Sequence, residues 1–302
     1  MTRPITVELV AVVVALGGAA GTEPRVLTAP GGDLPARAFD PDEHPTMERA
    51  LRDWVATETG LALAYVEQLY TFGDGARRRG AEAHRVSIGY LAIVPPAEGR
   101  TGSWARWARF FPWEDRRDGV PPLLAEALAP ALAAWAPEAG ARERVALAFG
   151  LDGAAWRDEL VLERYELLYE ARLVAEAWRD RGEEVPATLP PSGDALPRDH
   201  RRILATGIGR LRAKLKYRPV LFELMPEAFT LTDLQRAAEA VSGQRLHTQN
   251  FRRMVTQSGL VEPTGATSRR RGGRPALEYR FAAGADWEVR VAPVRFGGAR
   301  RT

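Results

Sequence analysis

The most restrictive feature of the sequence is an amphipathic segment, residues 247–258, placed after two other short helical segments and before a hairpin pattern. Phe251, Met254 and Val255 recur in it at the i, i+3, i+4 spacing of one helix face. Gly243 marks a tight turn just before this segment. The helical segments are 219–225, 232–241 and 247–258, and the hairpin pairs 260–262 with 278–281. This order predicts a winged helix-turn-helix.

The polar face of the third segment carries side chains suited to reading DNA. Asn and Gln pair bidentately with adenine, and Arg with guanine, in the major groove. Residues at the start of a recognition helix are the ones that reach base edges. The predicted base contacts are His247, Thr248, Gln249, Asn250, Arg252 and Arg253. The predicted contacts to the phosphate backbone are Arg269, Arg270, Arg271 and Arg274 in the hairpin loop, with Arg201 and Arg202 upstream.

Charge is divided unevenly along the chain. Residues 198–302 contain 21 basic and 9 acidic side chains, a net +12, whereas residues 1–197 contain 21 and 30, a net −9. Such asymmetry indicates that the C-terminal part alone meets a polyanion, here double-stranded DNA. An adaptor whose winged helix binds protein is an alternative, and the +12 balance argues against it.

Composition excludes several classes of protein. The 302 residues are 45% hydrophobic and 27% charged, which is typical of a folded soluble chain and not of a disordered or polytopic membrane protein. Because there is no cysteine, disulfide scaffolds, zinc ribbons and thiol nucleophiles are excluded. The early apolar run 9–20 contains several valines and follows Glu8, so it predicts a strand rather than a signal peptide. We therefore expect a cytoplasmic protein.

The rest of the chain predicts mixed α and β structure. Strands are expected at 7–16, 25–28, 66–72 and 85–94, and helices at 46–59, near 122–135, at 156–181 and at 199–216. We divide the chain into an α/β domain at 1–155 with an aromatic extension at 101–150, a long helix and linker at 156–197, a winged helix-turn-helix domain at 198–285 and a basic tail at 286–302. The long helix is either a dimer contact or part of the intramolecular core.

Three N-terminal motifs resemble a Nudix domain: Gly31-Gly32, the helix ending Glu58-Thr59-Gly60-Leu61, and Thr71-Phe72-Gly73-Asp74. The resemblance implies an α+β chain in which a Nudix-like α/β/α sandwich precedes the winged helix-turn-helix, an all-α unit with a wing. Anchoring the Nudix signature on Gly60-Leu61 places Trp54 at its first glutamate position and Thr57 and Glu58 at its glutamate pair.

The carboxylates needed to collect Mg²⁺ on one helical face are therefore incomplete. The remaining acids Glu48, Asp53 and Glu58 are five residues apart, which places them roughly 140° from one another around the helix. We expect no catalytic residues, no metal site and no hydrolysis. An active nucleoside-diphosphate hydrolase remains an alternative if loop acids join Glu58, namely Asp33, Asp40, Asp42 or Glu43.

Most of the chain is similar to the Nudix-related transcriptional regulators of NAD metabolism, nearest the longer repressors of de novo NAD synthesis. The motifs that carry the similarity are Glu163–Ala171, Asp199–Ala205, Lys216–Pro219, Phe222–Leu224, Phe229–Leu231, Gln249–Arg253 and Gly273–Ala276. The resemblance implies a homodimeric repressor of NAD-biosynthetic genes that binds a palindromic operator. It also implies that a nucleotide effector, which is ADP-ribose, NAD or ATP, controls DNA binding by the repressor. No cofactor is expected to be required. Expected effector contacts are Arg49, Arg52, Trp54, Glu58, Phe72, Asp74 and Arg85.

Overall fold

The computed structural model describes residues 5–18, 21–63, 65–73, 84–95, 102–268 and 275–282. Its strands are β1 Ile5–Gly17, β2 Glu23–Thr28, β3 Ala36–Ala38, β4 Tyr65–Phe72, β5 His84–Ile93, β6 Ser103–Arg106, β7 Phe229–Thr230, β8 Val261–Ser268 and β9 Ala276–Phe281. Its α-helices are α1 Met47–Thr59, α2 Ala129–Trp135, α3 Ala139–Phe149, α4 Val161–Glu170, α5 Ala175–Arg179, α6 His200–Leu215, α7 Leu231–Ser242 and α8 Thr248–Gln257.

A mixed sheet with β1 at its centre organises the N-terminal half. The strand order is β4-β5-β1-β2-β6, and β3 also pairs with β1. The strand β1 is parallel to β5 and antiparallel to β2, so β1 and β2 form a hairpin. Because side chains alternate along a strand, Val10, Val12 and Val14 face one core while Leu9 and Ala11 face a second core.

Helix α1 covers the second of these cores. Thr46 caps its N-terminus by accepting a hydrogen bond from the Arg49 amide, and Gly60 ends it in the left-handed conformation (φ 69°). The apolar face of the helix buries Leu51 and Trp54 against the sheet, as the sequence spacing predicts.

Helix α6 covers the opposite face of the sheet. Thirteen of its sixteen residues are buried, because it also packs against α4, α7 and the segment that follows it. A Cβ at Gly207 would lie 2.9 Å from Cγ1 of Val12, so glycine permits the close approach of helix and sheet. The two helices complete an α/β/α sandwich, which confirms the expected fold class for this half.

The aromatic extension packs as a further layer against α4 and α6. It contains a 3-10 turn at Trp107–Arg109, a π-helical segment at Leu123–Leu128, α2 and α3. Phe111 and Trp113 are fully buried in the same core as α6 and meet edge to face, with ring centroids 5.9 Å apart.

The single helix expected over 156–181 is wrong. The structure has two shorter helices, α4 and α5, separated by a break in which Arg172 adopts φ 59°. Nε1 of Trp178 donates to the Arg172 carbonyl at 2.9 Å, and the Arg172 guanidinium stacks 3.6 Å from the centre of the Trp178 ring. A hydrogen bond from the Trp178 indole to the backbone and a cation–π contact therefore stabilise the break between the two helices.

The proline-rich segment 182–197 contains no regular helix or strand, yet it is packed onto the body. Ser192 and Leu196 are buried, and the Leu196 amide donates to the Glu176 carboxylate at 3.0 Å. The domain boundaries given above stay predictions.

The C-terminal elements form the expected winged helix-turn-helix. A short 3-10 helix, Val220–Leu224, precedes α7 and α8, and the strands β7-β9-β8 form a small antiparallel sheet. A capping box between Thr230 and Asp233 begins α7, and Gly243 ends it with φ 69°. Among the described residues, no helix combines the length and apolarity needed to cross a bilayer.

Candidate nucleic-acid interface and effector face

Helix α8 separates a buried apolar stripe from an exposed polar face. Phe251 and Val255 are 4% and 8% exposed and pack into the core of the C-terminal domain. The exposed residues are those the sequence proposes for base contacts: His247, Thr248, Gln249, Asn250, Arg252 and Arg253. The geometry thus leaves this face accessible to a groove, and the individual base contacts stay predictions.

Neighbouring side chains fix the start of α8. The His247 side chain caps the helix by accepting a hydrogen bond from the Asn250 amide at 3.4 Å. The Gln235 amide nitrogen, on α7, donates to Thr248 Oγ1 at 3.2 Å. These bonds restrict the first turn of α8 before any ligand arrives.

The wing follows the recognition helix as β8 and β9, which pair antiparallel from Val261–Phe281 to Ser268–Ala276. The four arginines proposed for phosphate contact, Arg269, Arg270, Arg271 and Arg274, lie outside the described residues.

The phosphate-contact prediction for Arg201 is wrong. Arg201 is fully buried, and its guanidinium donates to the carbonyls of Phe110 and Ser192 and pairs with Glu176 at 3.1 Å. Its position on the inner face of α6 explains the error, since net charge along a helix does not show which face is buried. The next residue, Arg202, is paired with Glu166 at 2.5 Å and is 19% exposed, so its guanidinium is not free for DNA either.

A buried cluster of charges joins α4, α6 and the extension. Both carboxylate oxygens of Glu114 accept from Arg164, at 2.5 and 2.8 Å, and one also accepts from Arg212. Burial opposes ionisation of Glu114, but the two guanidinium groups outweigh it and hold the pKa of the carboxyl below its ordinary value.

Sequence reasoning missed this cluster. Arg164 and Arg212 lie 50 and 98 residues from Glu114 in the sequence, and Arg212 belongs to a basic helix whose composition suggests exposure to solvent. No local motif marks such a pairing.

The proposed effector residues on α1 lie together on one side of the sheet. Arg49 pairs with Asp53 at 3.6 Å, and Arg52 pairs with Glu48 at 2.9 Å while donating to the Leu63 carbonyl at 2.5 Å. Trp54 is 4% exposed, and its indole Nε1 has no hydrogen-bond partner in the described part of the chain. Glu58 is exposed.

The other proposed effector residues are not part of this group. Phe72 packs on the α6 side of the sheet, near the Arg202 guanidinium, and Arg85 pairs with Glu8 at 2.7 Å on that same side. The alternation of strand side chains separates both from Trp54. Asp74 lies outside the described residues.

The carboxylates of the described residues do not gather into a metal cage. Within these residues no group of three or more His, Asp or Glu side chains is arranged to hold an ion. Where the Nudix signature has its first glutamate, the structure has the buried ring of Trp54, which packs against the sheet.

Comparison with known proteins finds a similar domain in the C-terminal part of the chain. Residues 221–281 match the model of the NrtR DNA-binding winged helix domain. The ADPR responsive transcriptional repressor NtrR of Acinetobacter baylyi is 43% identical over 84 residues, which are 28% of this chain and 33% of that protein. The match therefore spans about a third of the relative's length.

Solved structures extend the likeness to the whole fold. NrtR of Shewanella oneidensis, solved with a 27mer DNA, has a TM-score of 0.53 at 21% identity, covering 93% of this chain and 94% of its own. A MutT/nudix family protein from Enterococcus faecalis has a TM-score of 0.50 at 15% identity, covering 93% and 89%. Residues 221–281 are thus similar to the NrtR DNA-binding winged helix domain, and the chain as a whole has the same fold as these solved structures.

Proposed function

We propose that this protein is a DNA-binding transcriptional repressor of NAD-biosynthetic genes, gated by a nucleotide held on its Nudix-like domain. The exposed polar face of α8 is the observation that carries this proposal. It presents Gln249, Asn250 and Arg253 to solvent on a helix whose opposite stripe is fixed in the core. Side chains of these three types read base edges in the major groove.

ADP-ribose is the effector we favour over NAD and ATP. The support is the 43% identity over 84 residues to an ADPR responsive repressor. We place the nucleotide on the α1 side of the sheet, where the partly exposed guanidinium groups of Arg49 and Arg52 would exchange their pairs with Asp53 and Glu48 for the phosphates of the ligand. There the buried Nε1 of Trp54 would gain an acceptor from a polar group of the ligand.

We further propose that the Nudix-like domain binds its nucleotide without hydrolysing it and that the repressor is a homodimer. Trp54 in place of a metal-binding carboxylate supports the first point. The second is what the resemblance to the Nudix-related regulators implies, and a two-fold dimer would match a palindromic operator with half-sites near multiples of a helical turn apart. Such a repressor works where the operator DNA is, in the cytoplasm.

Selection of bound genomic fragments by the purified protein, with and without ADP-ribose, NAD and ATP, tests the proposal. We expect enrichment of a palindrome upstream of NAD-synthesis genes, and we expect ADP-ribose alone to change that enrichment. Diffuse, salt-sensitive enrichment that no nucleotide alters would contradict both the operator and the effector.

A further inference from the structure

The turn between α7 and α8 is held by a segment of the aromatic extension, Glu114–Asp118, which we call the clamp. The Arg116 amide donates to the Gly243 carbonyl at 2.7 Å. Arg245 donates to the Arg117 carbonyl at 3.2 Å and pairs with Asp118 at 3.0 Å. The last residues before the recognition helix are therefore bonded to a segment more than 120 residues away in sequence.

Gly243 shows how closely the two segments approach. A Cβ at this position would lie 2.4 Å from the Glu114 carbonyl oxygen, and φ is 69°. Glycine is thus required both by the left-handed backbone and by contact with the clamp. A left-handed backbone is common where helices end, whereas the close contact with the Glu114 carbonyl is specific to the clamp.

The clamp is also bonded to the N-terminal sheet. Arg117 holds Asp115 in a bidentate pair and donates to the carbonyl of Thr22, in the connection between β1 and β2. Arg212 of α6 donates to the carbonyls of Glu114 and Val241, which bridges the clamp to the end of α7. A continuous set of bonds thus runs from the central hairpin of the sheet to the turn before α8.

We propose that the clamp is a positioning element that makes the sheet and the recognition helix one rigid body, so that α8 moves together with the sheet and not relative to it. This assigns a role to a region whose sequence carries no recognisable motif. The part that concerns effector response rests on the proposed function, whereas the rigidity stands by itself.

Distance measurement between two spin labels tests the rigidity. The chain has no cysteine, so Tyr70→Cys on β4 and Gln257→Cys on α8, both at exposed positions, provide the only labelling sites. The labelled protein is diluted with unlabelled protein so that distances within one protomer dominate. We expect one narrow distance distribution that ADP-ribose leaves unchanged, and a shift or a second population on adding ADP-ribose would overturn the proposal.

Two variants loosen the clamp in different ways. Arg245→Gln removes the side-chain bonds to Arg117 and Asp118, and Gly243→Ala introduces the clash with the Glu114 carbonyl. The matched control Arg144→Gln removes an exposed bidentate pair with Glu170 elsewhere in the extension. If Gly243→Ala does not fold, the milder Arg245→Gln still decides the question.

Arg245→Gln is expected to broaden the distance distribution and to bring the ratio of DNA Kd values, measured with and without ADP-ribose, towards one. The control is expected to change neither. Because Arg245 itself lies near the DNA-facing helix, the ratio and not the affinity is the informative quantity. An unchanged distribution in Arg245→Gln would overturn the role of the clamp, whereas a wild-type ratio of one would contradict the proposed function and leave the distance result standing.

Discussion

Single residues in this protein are recognisable from sequence where their role is local. Asn250 is such a case, because the residues on either side of it, Gln249 and Phe251, already define which face of α8 is polar and which is buried. Arg201 is the opposite case: its burial depends on Phe110 and Glu176, which are remote in the chain. Local spacing identified the exposed polar face of α8, whereas remote packing decided which arginines are exposed.

Replacement of Asn250 by alanine should relax sequence preference rather than abolish binding. A bidentate base contact contributes about 1–3 kcal/mol of discrimination, so the Kd ratio between operator and random DNA is expected to fall by roughly ten- to a hundredfold. Fluorescence anisotropy with both DNAs measures the ratio.

The comparison variant is Arg270→Ala in the wing, which should weaken operator and random DNA alike and reduce the salt slope by about one. If both variants reduced operator and random binding equally, the assignment of α8 as the reading helix would fail.

Trp54→Phe tests the effector face. The substitution removes a buried N–H while keeping an aromatic ring, and a hydrogen bond lost to a ligand costs about 1–3 kcal/mol. We expect ADP-ribose affinity, measured by calorimetry, to fall, and thermal stability to fall as well because a buried ring becomes smaller. Trp113→Phe is the control, because Trp113 also buries an Nε1 without a partner in the described residues but packs on the α6 side. Equal losses of ADP-ribose affinity in both variants would argue against ligand contact at Trp54.

At the scale of elements, the sequence predicted the ends of helices that depend on local interactions but not the features that depend on contacts between remote residues. Helix α1 ends at Gly60 and α7 at Gly243, as glycine punctuation predicts, because a left-handed C-cap is a local requirement. The break between α4 and α5 escaped prediction because the left-handed residue is Arg172 and its stabilising partner is the ring of Trp178. The residues predicted to contact the effector lie on two different faces of the sheet for a similar reason. The sequence did not show which face each residue occupies.

The charge cluster between elements predicts a pH dependence of stability. Because the folded-state pKa of Glu114 is below its ordinary value, its contribution is complete at neutral pH and is lost as pH falls through that folded-state pKa. Glu114→Gln, which leaves Arg164 and Arg212 without their counter-charge, should therefore cost about 3–5 kcal/mol at neutral pH and less in acid.

Urea unfolding at neutral and acidic pH measures this difference. The control is Glu163→Gln, the same substitution at an exposed position of α4. If Glu114→Gln lowered the free energy of unfolding by the same amount at neutral and acidic pH, the conclusion that Glu114 is ionised in the folded protein would be contradicted.

At the scale of the whole molecule, the decisive question is whether the protein binds ADP-ribose without hydrolysing it. Purified protein incubated with ADP-ribose and Mg²⁺ is expected to yield no AMP, because the described residues bring no set of carboxylates together around an ion. Chromatography of the nucleotides measures this directly. Metal-dependent hydrolysis would instead favour the alternative in which loop acids complete a catalytic site with Glu58.

Helix α6 has a consequence for how chains of this fold can be recombined. It fills the core on both sides, with Gly207 against the sheet and Leu211 and Leu215 buried towards the C-terminal elements. A chimera that exchanged everything after residue 197 would replace α6 with a donor helix whose surface is not fitted to the valines of this sheet. The transplantable winged helix unit therefore begins after α6, near Pro219, and its donor must supply a glycine that fits the recipient's clamp.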